Sequence, residues 1–245
     1  MRAWAERLGP ATAEPGTEII PAATVILLRD GADGVETLVL LRNSKLAFAG
    51  GMWVFPGGRV DPGDRVPGET TDPVEGVIRA ARNAAVRESA EEAGLAVVPD
   101  SLTVYAHWSP PKIAPKRFAT WFFVARAPVG DVVVDGGEIH EYAWVRPGDG
   151  LVRRDAGEIE LAPPTWVTLH DLARFASVDD ALATIDRREP ELFETRIASI
   201  AEAIVAMWHG DAGYETGDPE AEGGRHRLVM ADDGWTYERS DGAGE

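Results

Sequence analysis

The order of apolar and polar positions predicts short strands on either side of one long helix. Apolar or alternating runs of strand length occupy 23–29, 36–42, 52–55, 102–108, 118–125, 132–134 and 142–145. Turn-forming residues over 30–34 join the first two runs, which are therefore predicted to form a hairpin with a long loop. Strands before and after a central helix, in mixed order, favour an α/β sandwich with a mixed sheet over a regular βαβ repeat.

The central helix is predicted over 72–95. Asp72 is a good N-cap, Pro73 suits the first helical position, and Gly94 is a natural stop after the last turn. Glu75 stands where the carboxylate of a capping box belongs. The alanines between these ends add helix propensity.

Carboxylates interrupt the apolar face of this helix. At about 100° per residue, the apolar stripe comprises Val74, Val77, Ile78, Ala81, Ala84 and Ala85. Glu88 and Glu92 fall in the middle of that face, and Glu91 falls at its edge. Three carboxylates so close together repel each other and are costly to desolvate, and a hard divalent cation such as Mg²⁺ would resolve the conflict. The alternative, an acidic helix end facing water, disagrees with the phase of the helix.

The rest of the chain is predicted to contain two helices and a terminal hairpin. The helices occupy 164–175 and 177–187, and the hairpin strands occupy 226–230 and 235–238. The run 195–208 stays open, because its apolar spacing fits a helix while its β-branched residues also fit strands.

These elements suggest three parts of the chain. An N-terminal arm covers 1–17, and a main domain covers 18–175 with an Asp-, Pro- and Gly-rich insertion over 59–71 that is predicted to be a surface loop. A C-terminal extension covers 176–245 and is a candidate interface, lid or specificity element.

The composition excludes several kinds of function. The formal net charge of −17, with acidic residues spread throughout the 245 positions, argues against binding to nucleic acid or to an anionic membrane. The chain has no cysteine, which excludes disulfides, thiolate metal sites and cysteine nucleophiles. The first residues lack the apolar core of a signal peptide, and no segment is long enough to span a bilayer, so a cytoplasmic protein is expected.

The end of the central helix resembles the Nudix hydrolase family, whose signature is G-x5-E-x7-R-E-U-x-E-E-x-G-U, with U a large aliphatic residue. The matched positions of its second half are Arg87, Glu88, Glu91, Glu92, Gly94 and Leu95. Counting back from them places Pro73 and Arg79 where Gly and Glu belong, and Ser89 replaces an aliphatic residue. The Phe-Pro-Gly-Gly sequence at 55–58 looks like the strand-end turn that opens the signature, and the insertion is expected to separate it from the helix.

The resemblance implies the Nudix fold, a mixed sheet between helices, and metal-dependent hydrolysis of a diphosphate by attack of water on phosphorus. It implies a metal site for Mg²⁺ or Mn²⁺ formed by Glu88, Glu91 and Glu92, and it gives Arg87 the role of orienting a ligand glutamate. Family members often use one more loop glutamate as ligand or general base, for which Glu138 is the first candidate. The alternatives for that role are Glu141 and, as a weaker base, His140. The implied catalytic set is therefore Arg87, Glu91 and Glu138.

Four residues are candidates for substrate binding. Gly57 and Gly58 let the backbone turn tightly and approach a phosphate. The guanidinium of Arg42 can bind a phosphate, and Arg117 with Lys112 and Lys116 forms a local basic cluster in an acidic chain. The expected partner is a nucleotide-derived small molecule, and a homodimer is a further expectation.

The segment 40–46, which leads to the Phe-Pro-Gly-Gly sequence, is similar to the coenzyme A diphosphatase branch of the family. That branch has an Arg-Ser-x-x-Leu element at this point, although Asn43 separates the Arg from the Ser here. The resemblance implies coenzyme A or acyl-coenzyme A as the substrate, cleaved to adenosine 3′,5′-bisphosphate and (acyl-)phosphopantetheine. NADH and ADP-ribose are alternative substrates, and a non-catalytic nucleotide-binding domain is an alternative function. The isomerase branch, which acts on prenyl diphosphates, relies on a cysteine that this chain lacks.

Overall fold

The structure, a computed structural model, describes residues 19–44, 49–66, 70, 72–112, 117–134, 136–201 and 203–240. Its strands are β1 Ile19–Gly31, β2 Gly34–Arg42, β3 Trp53–Val54, β4 Gly57–Arg59, β5 Thr103–Ser109, β6 Arg117–Arg126, β7 Ile139–Val145, β8 Glu191–Glu194, β9 Arg196–Ile200, β10 Ala203–Met207, β11 His226–Ala231 and β12 Gly234–Arg239. Its helices are α1 Pro73–Ala93, α2 Pro147–Asp155, α3 Pro163–Leu172 and α4 Val178–Arg187, with short 3-10 turns at Pro62–Asp64 and Pro99–Ser101.

The larger sheet is mixed and has eight of the described strands. Its order is β3-β2-β1-β6-β5-β8, with β4 added to β1 and β7 added to β2. The pairs β1–β6 and β5–β8 are parallel, and the other pairs in this sheet are antiparallel. Strand β4 pairs with the edge of β1 that faces away from β6, and β7 pairs with one edge of β2. The site described below is formed near these two strands.

Helices cover both faces of the larger sheet, which confirms the predicted α/β/α sandwich. On one face, the alanines of α1 pack against Val25, Leu27 and Phe123. On the other face, α3 and α4 bury Trp166, Leu172 and Ile185 against Ile26, Phe122 and their neighbours. Small alanine side chains let α1 lie close to the sheet, and this closeness carries the glutamates of its last turns against the β1–β4 backbone. In the described part of the chain, no helix is both long and apolar enough to span a membrane.

The smaller sheet has the order β12-β11-β10-β9 and lies at the end of the chain. The run 195–208, for which a helix and strands were both possible, forms strands β9 and β10. Strands β11 and β12 confirm the predicted terminal hairpin. Trp208 and Leu228 from this sheet are fully buried in the same apolar cluster as α3 and α4.

Several local predictions were wrong. Gly31 pairs directly with Gly34, so the first hairpin has a two-residue turn and no long loop. The run 132–134 is irregular, and the Val133 amide donates to the Ala93 carbonyl (2.9 Å) at the end of α1 where a strand pairing was expected. Helix α2 and strand β8 were not anticipated, because both are short and rich in polar residues.

The predicted surface loop over 59–71 contains ordered, partly buried structure. Arg59 ends strand β4, and the 3-10 turn that follows buries the side chain of Asp64. The remaining positions 67–69 and 71, like the arm over 1–17, lie outside the described residues.

Candidate active site

Helix α1 presents the acidic residues because both of its ends are fixed. At the N-terminus, the Asp72 carboxylate accepts hydrogen bonds from the amides of Val74 (2.8 Å) and Glu75 (3.3 Å). At the C-terminus, Gly94 adopts a left-handed conformation with φ of 69°, which glycine tolerates better than other residues. Contrary to the capping-box prediction, the Glu75 side chain bonds Thr70 and Arg79.

The predicted phase of α1 is correct at its acidic end. Glu92 is 5% exposed and continues the buried alanine face, whereas the Glu91 carboxylate lies at the edge and is mostly exposed. Val77 departs from the prediction and is 46% exposed, because the sheet contacts the alanine side of the helix.

Strand β4 brings the backbone of the two glycines onto these carboxylates. The Gly57 amide donates to Glu92 Oε2 (2.9 Å), and a Cβ built at Gly58 would collide with the Glu88 carboxylate. A Cβ at Gly57 would collide with the backbone of β1. Both glycines are therefore needed for close approach between β4 and its neighbours, and they lie in a strand where a turn was predicted.

Arg87 connects three carboxylates. Its Nη1 donates to Glu88 Oε1 (2.8 Å) and Glu91 Oε2 (3.0 Å). Its Nε and Nη2 form a two-point contact with Asp64 (3.1 and 3.0 Å), and Nη2 also reaches the Arg59 carbonyl (2.9 Å). The hydrogen bonds with Asp64 are the main reason that the pKa of the Arg87 guanidinium is raised.

Asp64 is a site residue that the sequence analysis missed. Burial opposes its ionisation, but the hydrogen bonds from Arg87 hold the pKa of the Asp64 carboxyl below its usual value. A signal was present, since Asp64 follows Gly58 at the G-x5-acid spacing of the signature. The residues that are extra relative to the signature therefore lie between Asp64 and Arg87, so the insertion that was predicted over 59–71 begins only after Asp64.

Arg42 connects the helix to the loop that precedes β7. Its Nη1 lies 3.5 Å from Glu92 Oε1, and its Nη2 lies 3.3 Å from Glu138 Oε2. The Arg42 side chain is largely buried, and its Nε has no hydrogen-bond partner among the described residues. These long contacts compensate the charge of Glu92 only in part.

The register of β7 separates the two loop glutamates. Glu141 pairs with Leu41, whose side chain packs against the cluster on the α3 and α4 face of the sheet. Because paired residues project to the same face, Glu141 points away from α1. Glu138 contacts Arg42 on the α1 face, while His140 is exposed in β7 at the irregular point of the pairing.

The predicted basic cluster does not join this group in the described residues. Arg117 begins β6 beside Ile19, and no ion pair of the described side chains links it to the acidic residues of α1. Lys112 is exposed, and Lys116 lies outside the described residues, as do positions 45 and 46 of the segment similar to coenzyme A diphosphatases.

Burial shifts the ionisation of two glutamates. Desolvation raises the pKa of Glu92 to about 8, although the Gly57 amide and Arg42 work in the opposite direction. Desolvation also raises the pKa of Glu88, and the hydrogen bond from Arg87 offsets part of that rise. Added positive charge at this place would favour both ionised forms.

The donor set fits a hard divalent cation. Mg²⁺ and Mn²⁺ prefer carboxylate oxygens, and the last turns of α1 offer oxygens from Glu88, Glu91 and Glu92. No three acidic or histidine side chains of the described residues stand in a ready-made metal-binding group. Arg87 Nη1 donates to both Glu88 and Glu91, so its guanidinium compensates part of the charge of these two carboxylates.

Comparison with known proteins identifies the family. A family model described as NUDIX domain matches residues 19–163, which is more than half of the chain. The chain belongs to the Nudix family. No curated protein matches the chain.

Solved Nudix structures resemble the chain to different degrees. A NUDIX hydrolase from Alicyclobacillus acidocaldarius is 26% identical with a TM-score of 0.60, over 71% of this chain and 100% of that chain. An Ap4A hydrolase from C. elegans is 22% identical with a TM-score of 0.42, over 62% of this chain and 93% of that chain. The NUDIX domain of NrtR from Shewanella oneidensis, solved with ADP ribose, is 19% identical with a TM-score of 0.45, over 71% of this chain and 97% of that chain.

Family membership makes the chain a Nudix hydrolase that acts on pyrophosphate bonds. Nudix hydrolases generally use divalent metal ions such as Mg²⁺ or Mn²⁺, and the family acts on nucleotide-derived small molecules. The acidic end of α1 lies within the matched residues.

Proposed function

We propose that this Nudix hydrolase cleaves the diphosphate bond of a nucleoside diphosphate that is linked to another group. The observation that carries the proposal is the burial of Glu92 beside Glu88, against the β4 backbone and with only partial compensation from Arg42. Burying two carboxylates without full compensation reduces the free energy of unfolding, so such a pair is expected where a bound cation neutralises it. The pair lies at the position that the family signature assigns to the metal site.

The residues of the chain would divide the work as follows. Glu88, Glu91 and Glu92 would hold the metal, which when bound supplies charge neutralisation for the phosphoryl oxygens. Arg87 fixes the carboxylates of Glu88 and Glu91 through its contact with Asp64.

Glu138 is our candidate for the general base. It lies on the α1 face beside Arg42, and its carboxylate is exposed enough to meet a water molecule. Arg42 would bind a substrate phosphate through its Nη groups, which make only long contacts with Glu92 and Glu138. The Gly57 amide holds Glu92 in place and leaves the other carboxylate oxygen of that residue to share with a cation.

Coenzyme A or acyl-coenzyme A is the substrate that we propose first. The support is the similarity of the segment 40–46 to coenzyme A diphosphatases, of which Arg42 at the site is the described part. NADH and ADP-ribose are the second candidates, and the NrtR domain that was solved with ADP ribose has the same family fold.

The proposal is tested by product analysis on the full chain with Mg²⁺ or Mn²⁺. Chromatography after incubation with coenzyme A, acetyl-coenzyme A, NADH and ADP-ribose would identify the substrate by its two products. Cleavage of coenzyme A to adenosine 3′,5′-bisphosphate and phosphopantetheine supports the first candidate. Cleavage of only NADH or ADP-ribose supports the second candidates, and binding without cleavage of any of them would favour a non-catalytic nucleotide-binding domain.

A further inference from the structure

Tyr142 is an unusual residue on the α1 face of the sheet. It is 45% exposed, and no other described Phe, Trp or Tyr side chain is as open to solvent. The other exposed large apolar side chains of the described residues are valines and isoleucines. A single exposed aromatic ring is common on protein surfaces. Tyr142 is therefore of interest only if it lies near the candidate active site.

The register of β7 places Tyr142 beside the candidate active site. Tyr142 pairs with Leu40, which is fully buried in the same cluster as the alanines of α1. Both side chains therefore project to the α1 face. Arg42 follows two residues later along β2, just after the register shift between β2 and β7. Diagonal neighbours in a regular antiparallel pair lie about 7–8 Å apart, and the shift leaves the spacing of Leu40 and Arg42 along β2 unchanged. A ribose can span that separation between a diphosphate held at Arg42 and a base held at Tyr142.

The next aromatic residue along β7, Trp144, already has contacts within the chain. Trp144 packs against the cluster under α1, and the guanidinium of Arg29 lies 4.2 Å from the centre of its ring. Tyr142 has no such partner, since no ring or cation contact involves it in the described part of the chain. The ring that remains available on this face is thus the one closer to Arg42.

We propose that Tyr142 is the stacking platform for the nucleobase of the substrate. The inference rests on the proposed function for placing the diphosphate at Arg42. It goes beyond that function by naming the residue that selects nucleoside diphosphates over diphosphates without a base. An aromatic platform is tolerant of base identity, because every base offers a π face. Tyr142 would therefore contribute affinity for a nucleoside without specifying the group on the far side of the diphosphate.

The test is calorimetric titration of the full chain, in the presence of Mg²⁺, with ADP and separately with inorganic diphosphate. Tyr142→Ala is expected to raise the Kd of ADP about 5- to 150-fold, the range for losing one base–aromatic stack, and to leave the Kd of inorganic diphosphate unchanged. Tyr142→Phe should keep the wild-type affinity for ADP, and Tyr142→Leu should lose most of it. Val152→Ala, at an exposed position of α2, is the matched control and should change neither Kd.

Three results would overturn the proposal. They are an equal loss of affinity for both ligands in Tyr142→Ala, no loss of affinity for ADP, and a wild type that binds ADP no better than diphosphate. The binding readout needs no hydrolysis. If Tyr142→Ala weakens ADP binding as expected but the wild type cleaves no diphosphate, the stacking role of Tyr142 is supported and the proposed hydrolase function is contradicted.

Discussion

Among the single residues of the site, Glu92 has the carboxylate whose negative charge is least compensated by its neighbours. Its carboxylate is buried, receives one backbone hydrogen bond, and lies 3.5 Å from the nearest arginine nitrogen. Glu88 is in a similar position, with a closer arginine at 2.8 Å. The guanidinium groups of Arg42 and Arg87 thus contact four glutamates between them.

Removing Asp64 should loosen Arg87. We expect Asp64→Asn to lower kcat/KM by about 10- to 100-fold, as is usual when a group that orients metal ligands is removed. Asp64→Glu should recover most of the activity, because it keeps a carboxylate for the guanidinium. Steady-state kinetics with the substrate found in the product analysis make the comparison. The control is Asp61→Asn, since Asp61 is exposed and lies 3.8 Å from Arg87. Equal effects at Asp64 and Asp61 would contradict the role given to Asp64.

The two loop glutamates should differ in their importance for catalysis. Loss of a general base typically costs 10²- to 10⁴-fold, so Glu138→Gln should reduce kcat by about 100-fold or more. Glu141→Gln, on the opposite face of β7, should leave kcat close to the wild-type value. Single-turnover kinetics would separate this effect from changes in binding. A larger loss in Glu141→Gln than in Glu138→Gln would reverse the assignment.

At the scale of elements, α1 must hold its register for the glutamates to meet β4. Its N-cap is testable, because Asp72 accepts two amide hydrogen bonds at the start of the helix. Asp72→Ala should reduce the free energy of unfolding by about 0.5–2 kcal/mol. Urea denaturation measures the change, with Asp131→Ala in an exposed loop as the control. A cost no greater than that of the control would show that the cap is not important for the helix.

The elements that the sequence predicted best are those with a strong periodic pattern. Helix α1 could be predicted from its N-cap, its alanines and Gly94. The helical period alone then places Glu88 and Glu92 on the apolar face of the helix. The buried strands β1, β2, β5 and β6 are apolar runs whose length and composition favour strands over helices or loops.

What the sequence could not predict depends on pairing between distant segments. The position of Asp64 requires β4 to pair with β1, and the separation of Glu138 from Glu141 requires the irregular register between β2 and β7. The strands over 195–208 have helical spacing of their apolar residues and become strands because β11 pairs beside β10. Short elements such as α2 and β8 carry too few residues for a periodic signal.

At the scale of the whole molecule, the larger sheet contains a histidine that should affect stability at low pH. His107 in β5 is buried against Trp121, and desolvation lowers its pKa from an ordinary 6.5 to about 4. The folded chain therefore keeps it neutral where the unfolded chain binds a proton. Its contribution to stability is complete above about pH 6.5 and is lost as the pH falls towards 4.

Replacing His107 should flatten this part of the pH dependence. Between pH 6.5 and 4, the wild type should lose up to about 3 kcal/mol more unfolding free energy than His107→Phe. Urea denaturation of both proteins across this range gives the difference, since other titrating groups cancel in the comparison. Parallel pH curves for the two proteins would mean that His107 does not titrate as described.

The smaller sheet depends on a buried ion pair. Asp211 and Arg227 are almost completely buried and make a two-point contact at 2.6 Å. Asp211→Asn leaves a buried guanidinium without its counter-charge and should cost about 3–5 kcal/mol of unfolding free energy. Glu215→Gln, at an exposed pair with Arg196, should cost about 0–1 kcal/mol. Equal costs in thermal or urea denaturation would contradict this account of the sheet.

The central claim is that the carboxylates of α1 support metal-dependent cleavage of a nucleoside diphosphate derivative. The most direct measurement is product formation from the four-substrate panel by wild type, Glu92→Gln and Glu88→Gln, with Mg²⁺ or Mn²⁺ and with a chelator. The account predicts that wild type cleaves at least one diphosphate only when metal is present. Both variants should lose that activity by about 100-fold or more, because a charged ligand of the metal is removed. Cleavage that persists in the chelator or in both variants would contradict the account.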